Sequence, residues 1–383
     1  MFQLYIILLF NLFIIIFFTI RDIYKYNITF DQYLQRYSIY NYKLKQYDYL
    51  IHGASCGEIV SSIPIVKLLK NNKKNIIVSC HTVSGYRLIK NQLGNVEAVL
   101  KPYESIFTLF YFLYRIYPKT IIIIESDVWP LFACIAKLLN IRLISVNYKF
   151  KKEKPYRNAI HYHLLDKIYL KEPVDFYNDK YEFLGNIKLL NTVNLQIVVK
   201  KHLLVIISAH QDELEIHYKI IKFCLENNIK VVYIPRYLNY EQELRNTFKP
   251  LSYYWLTKKN NSITKLIDNN NLIVCFCYGL TNSFLSYSKL SIMGGTFDQV
   301  GGHNIFEPIV NHNYLIMGPN YKTCADLYTI LNKHNIISIC DATYINDRIL
   351  YFIDRNSVDI KNTLLYLEKY RDNLNNRLKS ILK

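Results

Sequence analysis

The sequence predicts an α/β protein in which two Rossmann-like parallel-sheet domains face each other across a cleft, preceded by a membrane-anchor helix. Three observations predict this architecture. The chain begins with a long apolar stretch, two series of short apolar runs alternate with segments of helical length, and a break at residues 185–201 separates the two series. Strands buried on both faces of a parallel sheet are apolar throughout, and helices form the connections between them. A chain of 383 residues is long enough for two such domains.

The apolar stretch at residues 2–20 is interrupted by only three polar residues and is long enough for one bilayer span. It has neither a basic leader nor a small-residue cleavage site, which favours an uncleaved anchor over a signal peptide. Arg21 and Lys25 follow it, and positive charge marks the cytoplasmic flank of a span. We therefore expect an anchor at residues 1–21 in the inner (cytoplasmic) membrane, with the catalytic part on the cytoplasmic face. A buried core helix is the alternative.

Each series of apolar runs predicts one sheet. The first predicts a domain at residues 22–190, with strands at residues 49–52, 75–80, 120–124 and 142–146 and helices at residues 58–70 and 128–140. The second predicts a domain at residues 200–360, with strands at residues 203–208, 230–234, 272–276, 290–293, 314–317 and 336–340. A closing amphipathic helix is predicted at residues 361–383, where one helical face carries Leu367, Leu374, Leu378 and Ile381.

The composition restricts the partners. The net charge of +17 favours anionic partners such as phospholipids, phosphorylated substrates or nucleic acid. The sequence contains no nucleic-acid-binding module and no zinc-ligand spacing, so we expect neither nucleic acid nor metal as a partner. The eight cysteines are scattered, which is typical of a reducing compartment. His161 and His163 have no other candidate ligands nearby, and we expect both at the surface.

The densest motif is the glycine-rich stretch at residues 294–308, which contains four of the 11 glycines within nine residues. Gly301 and Gly302 would let the backbone approach a ligand, and a following helix N-terminus suits a phosphate. Glu307 would lie within reach of a ribose diol. This pattern favours a nucleotide-sugar site; a helix cap formed by Asn304 and Glu307, with glycines that shape a turn, is the alternative.

Two glutamates are predicted at the carboxyl ends of strands, where α/β proteins bind ligands. Glu58 follows the first strand and would accept a proton from an acceptor hydroxyl, although Ser55 and Glu58 also fit a capping box. Glu125 follows four consecutive isoleucines. Asp127 is better explained as a helix cap, and Trp129 with Pro130 would begin the next helix.

The second half offers further phosphate-binding candidates. Ser208 and His210 follow a predicted strand, and Arg236 ends the next one with the forked geometry that suits phosphate. A surface salt bridge is the alternative for Arg236. The densest basic run comprises Lys149, Lys151, Lys152 and Lys154, which would contact acceptor phosphates or anionic headgroups unless it is only a solvated loop.

In this order, the motifs resemble those of the 3-deoxy-D-manno-octulosonic acid (Kdo) transferases along nearly the whole chain. In addition to the predicted anchor, the following motifs carry the resemblance: His-x-x-Ser-x-Gly-Glu at 52–58, Glu-x-Asp-x-Trp-Pro at 125–130, Gly-Asn-Ile-Lys at 185–188, His210, Pro-Arg at 235–236, Gly-Gly-His-Asn-x-x-Glu-Pro at 301–308 and Gly-Pro at 318–319.

The resemblance implies a metal-independent, inverting glycosyltransferase of GT-B fold that needs no cofactor. Such an enzyme transfers Kdo from CMP-Kdo to the lipid A precursor (lipid IVA) in lipopolysaccharide core biosynthesis, with the acceptor bound by the first domain and the CMP-sugar by the second. It implies Glu58 as general base and Glu125 as a second required acid. The residues it assigns to CMP are Ser208, His210, Arg236, Gly301, Gly302, His303, Asn304 and Glu307. The candidates for the acceptor or its phosphates are Ser55, Lys149, Lys151, Lys152 and Lys188.

Four stretches depart from the family pattern. Asp127 stands where the family usually has Glu, and Tyr237 where it has His. Residues 276–280 lack an acidic pair, and residues 147–151 lack an arginine and a serine. These departures leave two alternatives open: another GT-B nucleotide-sugar enzyme such as an epimerase, or a decayed family member that binds without catalysis. A basic membrane-surface scaffold would leave the glycine pairs unexplained.

Overall fold

The computed structural model describes residues 13, 16–17, 19–22, 28–39, 46–94, 96–125, 128–150, 153–175, 179–191, 199–258, 262–332, 335–355 and 358–382. The chain divides into two compact units. The first unit comprises Met1–Asn191 together with Asp372–Lys383, and the second comprises Thr192–Arg371. The boundary falls within the predicted break at residues 185–201.

The first unit is built on a seven-stranded parallel sheet in the order β3-β2-β1-β4-β5-β6-β7. Its strands are β1 (Tyr49–Gly53), β2 (Ile76–Cys80), β3 (Glu97–Leu100), β4 (Thr120–Ile124), β5 (Arg142–Tyr148), β6 (Lys167–Leu170) and β7 (Tyr181–Phe183). Its helices are α1 (Phe30–Arg36), α2 (Cys56–Asn71), α3 (Val83–Gln92), α4 (Ile106–Ile116), α5 (Pro130–Leu138) and α6 (Pro155–Leu164), and a 3₁₀ helix follows at Ile187–Leu190.

The second unit repeats this plan with the order β10-β11-β9-β8-β12-β13-β14, again all parallel. Its strands are β8 (Lys201–Ala209), β9 (Lys230–Pro235), β10 (Tyr254–Leu256), β11 (Leu272–Cys275), β12 (Ser288–Met293), β13 (Tyr314–Met317) and β14 (Ile337–Ile339). Its helices are α7 (Leu214–Glu226), α8 (Glu241–Phe248), α9 (Ile263–Asn269), α10 (Thr281–Leu285), α11 (Phe306–Val310), α12 (Ala325–Leu331) and α13 (Ile345–Ile353), with 3₁₀ helices at Gln211–Glu213 and Ala342–Tyr344.

The two predicted parallel-sheet α/β domains are confirmed, and their central strands explain why the apolar runs are continuous. All five residues of β4 are buried, because helices pack on both faces of the sheet. Pro130 is the first residue of α5, as predicted, where its missing N–H is not needed. The predicted C-terminal helix is part of α14 (Val358–Ile381), whose Leu367, Leu374 and Leu378 are buried.

Most of the predicted anchor, including all of residues 2–12, lies outside the described residues. Among the residues that are described, no helix is both long and apolar enough to cross a membrane.

The prediction that His161 lies at the surface is wrong. The ring is buried, its Nδ1 lies 2.9 Å from the hydroxyl of Tyr148, and burial lowers its pKa to about 4.

Candidate functional site

Three residues other than glycine have left-handed backbones at the carboxyl ends of central strands. Glu125 follows β4 with φ +62°, Asn147 is the next-to-last residue of β5 with φ +66°, and Ser208 is the next-to-last residue of β8 with φ +51°. The pairing register shifts around Asn147 and around Ser208. This conformation is costly for residues with a Cβ and concentrates at functional sites. Each unit therefore has a distorted strand edge where α/β proteins bind ligands.

Glu58 lies in the first turn of α2, directly after β1. Its Oε2 accepts hydrogen bonds from the backbone N–H groups of Ala54 and Ser55, the latter at 3.2 Å. Ser55 is the exposed N-cap residue of the same helix. Glu58 is therefore a capping glutamate in this structure, and the same contacts fix its carboxylate at the carboxyl edge of the sheet.

Glu125 contacts two side chains at the same edge. Its Oε1 lies 2.8 Å from Nζ of Lys188 and 3.5 Å from Oγ of Ser61. Ser61 belongs to α2 and donates to the carbonyl of Gly57 at 2.8 Å, one turn from Glu58. Strands β1 and β4 are neighbours in the sheet. Glu125 and Lys188 thus contact each other directly, and Glu58 follows the neighbouring strand on the helix whose Ser61 contacts Glu125.

The segment that carries Lys188 is held by three amides. Asn147 Oδ1 accepts from the N–H of Ile187 at 3.1 Å, and Asn186 Oδ1 accepts from the N–H of Lys188 at 3.1 Å. Asn191 Nδ2 donates to the carbonyl of Val60 in α2 at 3.0 Å. The Asn147 contact gives a reason for its left-handed backbone. The ammonium of Lys188 is therefore positioned by the fold rather than by a flexible loop.

In the second unit, His210 and His303 form a stacked pair. Their Nε2 atoms are 2.7 Å apart, and their rings are nearly parallel, with centroids 5.0 Å apart. Burial, with smaller contributions from Arg236 and His210, lowers the pKa of His303 to about 4. Burial also lowers the pKa of His210, although Asp298 opposes this. Both rings are therefore neutral near pH 7, and one donates to the other.

Glu307 and Arg236 lie around this pair. Burial raises the pKa of Glu307, while a hydrogen bond from Asn304 Nδ2 to its Oε1 at 3.1 Å and the charge of Arg236 oppose the shift. The charge of Arg236 acts on His303 as well. The structure thus brings together residues that lie nearly a hundred positions apart in the chain. Asn304 Oδ1 also accepts from the N–H of Phe306 at 3.2 Å, although the N-cap residue of α11 is Ile305, which makes no side-chain cap bond.

The glycine pair at 301–302 has a packing reason. Both residues have left-handed backbones, with φ +94° and +85°. A Cβ on Gly301 would lie 2.9 Å from Cγ of Lys322, and one on Gly302 would lie 2.9 Å from Cγ2 of Thr296. Both N–H groups donate to the carbonyl of Gly295 at 2.7 Å. Close packing within the loop is therefore sufficient to require glycine here, whether or not a ligand approaches.

The remaining candidates are less informative. Lys149 is half-buried and Lys154 is the exposed residue before α6, whereas Lys151, Lys152 and Asp127 lie outside the described residues. Tyr237 is exposed beside Arg236. Within the described ranges, no group of three His, Cys, Asp or Glu side chains is arranged to hold a metal ion. Sequence reasoning missed Glu213, a fully buried carboxylate beneath the glycine-rich loop.

Comparison with known proteins gives consistent results. A family model described as 3-Deoxy-D-manno-octulosonic-acid transferase (kdotransferase) matches residues 31–171, within the first unit. The 3-deoxy-D-manno-octulosonic acid transferase of Rickettsia prowazekii is 26% identical over 356 residues, which cover 84% of this chain and 74% of that protein. The transferase of Chlamydophila psittaci with the same description is 25% identical over 339 residues, covering 79% and 76%.

The crystal structure of the kitacinnamycin glycosyltransferase has the same fold. The TM-score is 0.53 at 10% identity, with 87% of this chain and 96% of that chain covered. Together with the sequence matches, the two parallel-sheet units define a glycosyltransferase with GT-B structural neighbours. The family model and the relatives thus confirm the resemblance to the Kdo transferases that the motifs predicted.

Proposed function

We propose that this protein transfers Kdo from CMP-Kdo to the lipid A precursor, lipid IVA, in lipopolysaccharide core biosynthesis. The named activity of the relatives supports this proposal. The structural observation that carries it is the pairing of Glu125 with Lys188 at the carboxyl edge of the sheet, next to the first turn of α2, which holds Glu58. These residues come from three motifs of the resemblance, and nothing in sheet packing requires a carboxylate at both positions.

The reaction would be an inverting single displacement at the ketal carbon. Glu58 would accept the proton of the attacking acceptor hydroxyl, and the hydrogen bonds from Ala54 and Ser55 would fix the direction of its carboxylate. Lys188 would hold Glu125 and present a positive charge to the anionic substrate. General-base catalysis of this kind contributes about 10²–10⁴-fold to a rate.

The second unit would bind CMP. Arg236 offers a forked donor set for the phosphate, and the neutral pair of His210 and His303 lies beside it. The donor phosphodiester carries one negative charge, and a second develops on the phosphate as the bond to Kdo breaks. This negative charge would favour a proton on the histidine pair, which would then stabilise the departing CMP. Glu307 would accept hydrogen bonds from the ribose hydroxyls.

A non-catalytic binding protein is the second candidate, and one observation favours it. The capping contacts of Glu58 are sufficient to explain a glutamate at this position without any role as a base. The departures from the family pattern at Tyr237 and residues 276–280 also favour a protein that binds without catalysis.

We also propose attachment to the inner membrane through residues 2–20. Asp22 follows this stretch and docks on the first unit, where its buried carboxylate lies 3.2 Å from Nε of Arg36 and accepts from Tyr103 Oη at 3.3 Å. An anchor would thus be joined to the acceptor-binding unit without a flexible spacer. Membrane pellets washed with carbonate should retain the full chain, and release into the wash would contradict the proposal.

The decisive experiment compares the wild type with Glu58→Gln in transfer of Kdo from CMP-Kdo to a tetra-acylated lipid A precursor. Glutamine can keep the cap, because this chain already uses Gln32 to accept from the N–H of Thr29 at 3.1 Å in the capping box of α1. Glutamine cannot act as the base. Mass spectrometry would identify the product and count the sugars added.

Product from the wild type, with none from the stable Glu58→Gln variant, supports transfer with Glu58 as base. Product from both moves the base elsewhere, to Glu125 first. No product from either, with CMP still bound, favours the binding protein. Thermal unfolding of both proteins shows whether the cap survives the substitution.

A further inference from the structure

Glu213 is a carboxylate buried completely beneath the glycine-rich loop of the second unit. It is the last residue of the 3₁₀ helix before α7. Its two oxygens accept from two backbone N–H groups, Oε2 from Gly295 and Oε1 from Phe297, both at 2.7 Å. One side chain therefore holds two alternate peptide groups of the same loop.

Further hydrogen bonds connect Gly295 to the residues of the proposed donor site. The carbonyl of Gly295 accepts from the N–H groups of Gly301 and Gly302, each at 2.7 Å. Gly302 precedes His303, which meets His210 at 2.7 Å. A Cβ on Gly295 would lie 3.3 Å from the His210 ring, so the loop and this ring are in close contact. The position of His303 thus depends on Gly295, whose N–H is bound by Glu213.

Among the described residues, no group that is cationic near neutral pH is paired with the carboxylate of Glu213. His217 Nε2 lies 3.7 Å from it, but the ring is fully buried and burial lowers its pKa to about 3. Neither of its ring nitrogens has a hydrogen-bond partner in the described part of the chain. Burial raises the pKa of Glu213, with a smaller contribution from Asp298, while the N–H groups of Gly295 and Phe297 lower it. Burying a carboxylate is costly, and here its hydrogen bonds to the loop offset the cost.

We propose that Glu213 is a positioning residue of the donor site, whose carboxylate holds residues 295–303 in the arrangement that presents His303 to the phosphate of a cytidine monophosphate sugar. This inference rests on the proposed function, because CMP is the nucleotide assumed. Glu213 acts through the loop and does not touch the nucleotide. Two backbone N–H groups require two acceptors, and only a carboxylate supplies both.

The test replaces Glu213 with glutamine and uses Glu215→Gln as a matched control. Glu215 lies in α7 with its side chain 83% exposed, paired with Lys219 at 2.7 Å. In Glu213→Gln an amide NH₂ faces a backbone N–H, so one hydrogen bond is replaced by repulsion. We expect the dissociation constant for CMP, measured by calorimetry, to rise about tenfold to a hundredfold. The KM for the acceptor should not change.

Amide hydrogen exchange gives a readout that needs no ligand. In Glu213→Gln, exchange at Gly295 and Phe297 should become faster, while exchange in the central strands of the sheet should match that of Glu215→Gln. If CMP binding and loop exchange both equal those of the control, the inference is overturned. If the wild type binds no CMP, the proposed function fails, and loop exchange alone decides whether Glu213 holds the loop.

A second variant covers the case in which Glu213→Gln does not fold. Glu213→Asp keeps the charge but is one methylene shorter, so it cannot reach both N–H groups. Weaker CMP binding and faster exchange at one of the two amides would support the inference. Wild-type CMP affinity in this variant would overturn it.

Discussion

Replacing Lys188 with methionine should reduce activity far more than stability. The Lys188–Glu125 pair is 2.8 Å long, and its side chains are 37% and 27% exposed. Coulomb's law gives about 1.5 kcal/mol at this distance in water. Solvent screening and side-chain entropy reduce such pairs to about 1 kcal/mol or less. For a unit of this size we therefore expect the melting temperature to fall by about 2–4 °C.

Under the proposed mechanism, the expected loss of kcat/KM is about a hundredfold or more, because Lys188→Met leaves Glu125 without the cation that orients it. A hundredfold loss corresponds to about 2.7 kcal/mol of transition-state stabilisation, well above the stability cost. Initial rates of Kdo transfer, measured at 25 °C where both proteins are folded, separate the two effects. The separate values of kcat and acceptor KM show whether binding or the chemical step is affected.

The chain offers a matched control at the opposite ends of the same two strands. Lys119 precedes β4 and Asp48 precedes β1, and they form an ion pair of 2.9 Å. Lys119→Met should lose similar stability and no activity. If Lys188→Met lowers kcat/KM no more than Lys119→Met does, the pair at the carboxyl edge is only structural and the reasoning is refuted.

Two further predictions concern the second unit and the acid stability of the fold. Gly302→Ala should weaken CMP binding about tenfold, because the residue has φ +85° and its Cβ would lie 2.9 Å from Thr296. The control Gly94→Ala, with φ +49° and open space around it, should lower stability without changing CMP binding. Calorimetry measures the CMP affinity and melting curves measure the stability of both variants, and equal CMP affinity of the two would contradict the prediction. Burial lowers the pKa of His217 to about 3, so at this residue the unfolded chain binds a proton below about pH 6.5 that the folded chain does not. His217 alone should therefore contribute up to about 2 kcal/mol to the loss of stability at pH 5. Urea unfolding at pH 7 and pH 5 measures this loss, and an unchanged loss in His217→Leu would contradict the assignment.

The sequence predicted most of the strands that are buried on both faces and also the short edge strand β14, and it missed β3, β6, β7 and β10. Runs such as residues 120–124 are apolar at every position, because both faces of the central sheet are covered. The edge strands β3, β7 and β10 have only three or four residues, and β7 has one exposed and one half-buried position. A periodicity over three residues cannot be distinguished from a loop, so these strands become visible only when their neighbours are placed.

The candidate site was predicted in part, for a similar reason. The motifs named Glu125 and Lys188 separately, but their contact depends on Asn147, which binds the backbone of the segment that carries Lys188. No local sequence pattern encodes this long-range hydrogen bond. The left-handed backbone of Ser208 arises from a register shift between two strands. Glu213 was missed because Asp212-Glu213 before an apolar helix is typical of an ordinary helix start, and its burial depends on a loop more than eighty residues away.

The two roles of Glu58 can be separated by comparison within the chain. Both α1 and α2 begin with a capping box, but α1 uses Gln32 where α2 uses Glu58. A neutral amide is thus sufficient to satisfy the first N–H groups of a helix in this protein, and the charge of Glu58 adds only about 0.3–1 kcal/mol through the helix dipole. The negative charge has a clearer purpose at the strand edge that also holds Glu125 and Lys188. The cap therefore accounts for the direction of the carboxylate, and the proposed base catalysis would account for its charge.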